Sequence, residues 1–196
     1  LFVNIATSSI YGLHATSTEE EAPMPVSDYG VTKLAAEQLV LASQRSGKLP
    51  ACSIRLFSVY GPRERPEKLY TKLIKAIYEE TSFPLYEGSA NHERSFTYVG
   101  DIIDGLEKIL DYKASCDGEI INLGSTEVYT TAQGISLIEK IIGKKALIEH
   151  VVKRPGDQLK TSATIDKAKR LLDYTPNTDF EEGLRAQVKW YQEKFL

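Results

Sequence analysis

IATSSIYG, residues Ile5–Gly12, and SDYGVTKLAAEQL, residues Ser27–Leu39, decide the fold of this chain. The first closes a mostly apolar run, LFVNIA at 1–6, the pattern of a strand buried on both faces of a parallel sheet. That run leads into three hydroxyls, Thr7, Ser8 and Ser9. The second stretch opens a helix over about 28–46, with Ser27 or Asp28 able to cap its start and Gly47 suited to its stop. Side chains four apart on a helix lie one above the other, so Tyr29 and Lys33 project from one face.

The alternation continues outward. ACSIRLFSVYG reads as a second buried strand ending in a turn, and GPRERPEK as a basic, proline-rich loop. KLYTKLIKAIYEE carries Leu69, Leu73, Ile74 and Ile77 at helical spacing. FPLYEG is a short strand or turn, RSFTYV another strand, and Asp101 is placed to cap the helix IIDGLEKILDY. GEIINLGS is a further core strand, TTAQGISLIEKIIGK a helix, ALIEHVVKR a strand, and TIDKAKRLLD and DFEEGLRAQVKWYQEKF are two closing helices. Strands alternating with helices define an α/β chain with a mainly parallel sheet.

The 196 residues suffice for one large domain or two modest ones, and 42% hydrophobic with 26% charged residues is an ordinary globular composition. A net charge of −3 gives no electrostatic footprint for nucleic acid or an anionic membrane, so an anionic ligand has to be met by local arginines. Cys52 and Cys116 form no C-x-x-C pair and read as reduced, buried thiols of a cytoplasmic protein. His14, His92 and His150 are scattered, without metal-ligand spacing. No apolar run approaches the ~20 residues of a membrane span.

A free phenol titrates near ~10 and is a poor base at neutral pH; bringing it there takes about 4 kcal/mol of added stabilisation of the phenolate. One ammonium ~6 Å away, at an effective dielectric of ~20, contributes about 2.8 kcal/mol. A second positive charge, such as an oxidised nicotinamide ring, closes the gap. Read alone, a tyrosine and a lysine four apart also occur on many helices without chemistry. The hydroxyl-rich strand end before them and RLFSVYGP after them change that judgement.

IATSSIYG, YGVTK, RLFSVYGPRERP, RSFTYVGDIIDG and VKRPGDQLKTSATIDKAKRLLDYTP, in this order over essentially the whole chain, resemble the extended short-chain dehydrogenase/reductase family. Within it, the nucleotide-sugar epimerases and dehydratases are the most similar branch. The resemblance implies a partial Rossmann fold, the second half of a doubly wound parallel sheet, with a smaller C-terminal α/β substrate domain. Residues 1–62 would be the Rossmann half with the Tyr-Lys helix. Residues 63–196 would be mainly the substrate domain, with segments near 95–125 returning to the Rossmann sheet.

The resemblance also implies NAD as cofactor and a nucleotide sugar as substrate. Tyr29 would take a proton from a sugar hydroxyl, Lys33 would bind the nicotinamide ribose and activate Tyr29, and Thr7 would hydrogen-bond the reacting oxygen. Ser8 and Ser9 fall where related dehydratases carry an acidic pair. Two serines do not expel water well but can hydrogen-bond a sugar hydroxymethyl or carboxylate. This favours 4-epimerisation of a UDP-hexose or UDP-hexuronate through a 4-keto sugar. The alternatives are a keto-sugar reductase or dehydratase of the same family, or a non-catalytic nucleotide-sugar-binding fragment.

Arg65, Arg94 and Arg154 match family positions that approach diphosphate or sugar, where guanidinium forks suit phosphate. Asp157 matches one near the nucleotide ribose, Ser58 a strand-end position facing the sugar, and Leu85–Gly88 a segment packed beside the base. Two departures stand out: Ser95 replaces an aspartate after the arginine, and Gly100 replaces another before Asp101. The family's glycine-rich dinucleotide loop does not occur in this sequence. The expectation is therefore a portion of a longer enzyme that does not hold NAD by itself, with LFVNIA as an exposed sheet edge. Family members commonly form homodimers through the tyrosine-bearing helix and the one before it; the latter is missing from this sequence, so a homodimer by that route is not the expectation for this chain.

Overall fold

The computed structural model describes residues 1–153 and 158–196. The chain runs through β1 (Phe2–Thr7), a 3-10 turn (Ser8–Tyr11), β2 (His14–Ala15), α1 (Asp28–Arg45), β3 (Ala51–Leu56), β4 (Val59–Tyr60), α2 (Leu69–Glu79) and β5 (Ser82–Tyr86). A second 3-10 turn (Ser89–Asn91) leads to β6 (Glu93–Arg94), β7 (Thr97–Tyr98), α3 (Val99–Asp111), α4 (Lys113–Cys116), β8 (Ile120–Leu123) and β9 (Tyr129–Thr130). Then follow α5 (Thr131–Ile142), β10 (Leu147–Val151), β11 (Lys160–Thr161), α6 (Asp166–Leu172) and α7 (Phe180–Phe195).

The main sheet has the order β1-β3-β8, all parallel, with Thr7 opposite Leu56 and Leu56 opposite Leu123. Central β3 is the strand buried on both faces: Ala51 to Arg55 are all buried. β1 pairs on one side only, and Phe2 and Ile5 are 47% and 40% exposed. The expectation that LFVNIA is buried on both faces is corrected accordingly, and the expectation of an apolar edge describes it instead.

Local chemistry sets the helix ends. Ser27 caps α1 by accepting from the Gly30 N–H at 3.1 Å, and Gly47 just beyond the helix has φ +70°. Thr130 and Gln133 form a capping box on α5. The apolar stripe of α2 is buried through Tyr70, Leu73, Ile74 and Ile77. RSFTYV does not form one strand. It divides into β6, paired with β9 and β11, and β7, paired with β4, because buried Ser95 between them binds the backbones of both Thr161 and Ser125. Asp101 does not cap α3, which starts at Val99 directly out of β7; its carboxylate accepts from the Thr178 N–H and hydroxyl instead. A Cβ at Gly100 would stand 2.7 Å from the Tyr98 ring, so a larger residue there would require that ring to shift.

Apolar side chains gather in two cores. One joins β3 and β8 to α3, α4 and α6 through Ile54, Ile109, Ile121 and Leu172. The other joins α2, β5, α5 and α7 through Tyr70, Leu73, Ile138 and Leu184. Cys52 and Cys116 are free and buried in the first core. Among the described residues no helix is long and apolar enough to cross a membrane.

Candidate active site

β1 delivers Thr7, Ser8 and Ser9 to the C-terminal end of the main sheet. Thr7 has extended backbone and caps the 3-10 turn; its Oγ1 accepts from the Ser9 N–H and donates to Ser9 Oγ, both at 3.2 Å. Thr7 and Ser8 are buried, and Ser9 is half-buried. The parallel register brings Ser58, two residues beyond β3, to the same sheet end. Open α/β sheets present ligand sites at this end.

The first turn of α1 lies on the hydroxyl turn. A Cβ at Gly30 would stand 2.8 Å from the Ser9 carbonyl oxygen and 3.0 Å from Pro25 Cβ, an approach only glycine permits. The Lys33 ammonium donates to the Ile5 carbonyl, two residues before Thr7. An ammonium has three donors, so two are left without a partner among the described residues and can meet a ligand. Tyr29, one turn earlier on the same face, is 57% exposed, and its hydroxyl has no hydrogen-bond partner among the described residues.

A cavity of about 310 Å³ opens beside this sheet end. Ser58 and Arg94 line it together with Leu85 and Tyr86 of the PLYEG segment, and Lys68 and Lys72 of the α2 region. Arg94 donates to the carbonyls of Glu93 and Gln158, and the Gln158 side chain donates to the carbonyls of Gly12 (2.8 Å) and Ser8 (3.3 Å). Gln158 thus joins the cavity wall to the hydroxyl turn. Glu64 also lines the cavity; burial raises its carboxyl above the ordinary range, while donors from Thr71 and Gln187 oppose the rise. Arg65 is not on this wall. It is exposed, sits 3.4 Å from Glu67 and borders two other hollows of about 610 and 740 Å³ beside the Gly61–Pro66 loop. Arg154 and Asp157 lie outside the described residues.

Several site-forming residues escaped the sequence reading. Fully buried Glu37 holds Arg55 through two contacts, 2.7 and 3.1 Å, and Arg55 donates to the Tyr11 hydroxyl at 2.8 Å. The signal was present: Glu37 is the third member of the four-residue spacing Tyr29, Lys33, Glu37, and Arg55 is the one charged residue in a mostly apolar strand.

A Tyr-Lys helix face laid on a hydroxyl-bearing parallel strand end defines a class, and the chain belongs to the NAD dependent epimerase/dehydratase family, whose model matches residues 1–124. Among relatives, it is 36% identical over 190 residues to an uncharacterized UDP-glucose epimerase, YtcB, of Bacillus subtilis, covering 96% of this chain and 60% of that protein. It is 37% identical to the UDP-glucuronate 4-epimerase of Thermodesulfobacterium geofontis, covering 96% of this chain and 58% of the relative. The crystal structure of UDP-glucuronic acid 4-epimerase from Bacillus cereus, in complex with UDP-glucuronic acid and NAD, superposes with a TM-score of 0.94 at 36% identity, over 99% of this chain and 62% of the other. The chain thus spans about three fifths of the length of these relatives.

Proposed function

We propose that the protein containing this chain is an NAD-dependent nucleotide-sugar 4-epimerase acting on a UDP-hexuronate or UDP-hexose by way of a 4-keto sugar. The observation that carries this reading is the Lys33 ammonium on the Ile5 carbonyl, which keeps the Tyr-Lys face against the strand end bearing Thr7, Ser8 and Ser9. The likeness to a UDP-glucuronic acid 4-epimerase supports the same reading.

The sheet end fits the nicotinamide side of NAD: Tyr29 offers an exposed hydroxyl with no partner among the described residues, and Lys33 keeps donors for a ribose diol. When bound, NAD supplies a hydride acceptor and donor at the sugar carbon. Tyr29 accepts the proton of the sugar 4-hydroxyl and returns one, with Lys33 stabilising the phenolate across the helix turn. Thr7, oriented by its two contacts with Ser9, hydrogen-bonds the reacting oxygen. Ser8 and Ser9 meet the substituent at the sugar's C5. Arg94 and Ser58, backed by Lys68 and Lys72, hold the diphosphate end in the cavity. Serines at positions 8 and 9 leave no side-chain acid to expel water, which favours epimerisation over dehydration.

The test is turnover of UDP-glucuronate and UDP-glucose by the complete gene product with NAD. Tyr29→Phe is expected to lower the rate by about 10³ through loss of the general base; a near-normal rate removes Tyr29 from the mechanism.

A further inference from the structure

α1 is 18 residues long, yet its buried residues are only Gly30, Glu37 and Leu41. Leu34 adds a partly buried contact with the first core, and apolar contacts of this kind tolerate sliding of a helix along a sheet. Glu37 and Arg55 are 0% and 1% exposed, and their pairing is bidentate. Around them the contacts branch to every element that carries a proposed catalytic group. Ser53 of β3 donates to Glu37 at 2.9 Å and accepts from Asn4 of β1 at 2.8 Å. Arg55 donates to Tyr11 of the hydroxyl turn, and the Tyr11 hydroxyl donates to Asn122 of β8 at 2.8 Å. The Arg55 guanidinium also lies 4.9 Å from the centre of the Tyr11 ring. A buried ion pair is commonly no more stabilising than apolar residues of the same volume, but it accepts one geometry where an apolar contact tolerates sliding.

We infer that Glu37 is a positioning residue: through Arg55 it locks α1 in register with β1, β3 and the Thr7–Tyr11 turn, and so fixes where Lys33 and Tyr29 stand. This rests on the proposed function only for its effect on rate. Glu37, Lys33 and Tyr29 share one face at successive four-residue steps, so a slide of the helix at Glu37 moves all three together. Misplacement by about 1 Å can cost on the order of 10²-fold in a reaction that depends on orientation.

The test replaces the pair by apolar residues, Glu37→Met with Arg55→Met. Ser53 then still accepts from Asn4 and Tyr11 still donates to Asn122. The double variant is expected to melt cooperatively near the wild-type temperature. The side-chain ¹³Cε signal of Lys33 is expected to shift from its position in the ligand-free wild type toward that of solvent-exposed lysines. In the complete gene product kcat falls at least about 30-fold, with KM for UDP-glucuronate within about twofold, because the cavity wall is untouched. A folded double variant with unchanged Lys33 signal and unchanged kcat overturns the proposal. If the wild type turns over no nucleotide sugar, the functional reading fails, and the Lys33 signal alone decides the positioning role. Should the double variant not fold, Tyr11→Phe leaves the Glu37–Arg55 pair intact and removes the turn's hydroxyl links to Arg55 and Asn122; kcat then falls with KM held, and an unchanged kcat overturns the proposal.

Discussion

Gly30→Ala tests the close approach of α1 to the hydroxyl turn. The new methyl would stand 2.8 Å from the Ser9 carbonyl oxygen, where ordinary contact begins at 3.4 Å, so one side must retreat by about 0.6 Å. The opposing atom is backbone, fixed by the 3-10 turn that Thr7 caps, and Pro25 Cβ blocks a second direction at 3.0 Å. Overpacking of this kind costs about 1–3 kcal/mol. Alanine recovers at most about 1 kcal/mol of helix propensity, and less in a first turn. The net is a loss of about 1–2 kcal/mol, a melting point lower by roughly 2–8 °C in a chain of this size. The functional cost is larger, because Tyr29 is the adjoining residue and moves with the displaced turn. Turnover of UDP-glucuronate by the complete gene product is expected to fall on the order of 10²-fold. Calorimetric melting and a coupled assay for the epimerised sugar measure the two effects. A variant that melts higher than wild type and turns over at the wild-type rate would refute the close approach and the role built on it.

Two further outcomes follow from titratable groups that are partly or wholly buried. Burial raises the Glu64 carboxyl, so the folded protein holds a proton that the unfolded chain releases near 4.5; its contribution to stability is full below 4.5 and is lost as pH rises through the folded value. Glu64→Gln keeps an acceptor for Thr71 and Gln187 without the charge, so its melting point relative to wild type should be higher at pH 7.5 than at pH 4; an equal difference at both pH values contradicts the buried carboxyl. Burial, reinforced by Cys116, pushes the Cys52 thiol up to about 12, and both thiols are enclosed. A thiol reagent at pH 8 is expected to label neither in the native chain and both in denaturant, while rapid native labelling of two thiols would show that the first core is not closed.

By itself the sequence determined what is local. Apolar runs and helical spacing gave the α/β alternation, Ser27 and Asp28 marked the start of α1, and the four-residue step put Tyr29 and Lys33 on one face. Five short motifs in order then implied the family. Tertiary structure alone decided what depends on pairing between distant residues. Strand composition is nearly the same for the edge strand β1 and the central β3, and only sheet order leaves Phe2 and Ile5 exposed while Arg55 is enclosed. RSFTYV has one periodicity but two sets of partners, so the pattern could not show its division at Ser95. Arg65 and Arg94 look alike in a basic motif, yet Arg94 lines the cavity beside Ser58 and Arg65 stands in solvent with Glu67. Glu37 and Arg55 are 18 positions apart, and their charges meet only because α1 crosses β3 at that point. Periodicity is a property of neighbours along the chain, whereas a site is a property of neighbours in space, and packing alone connects the two.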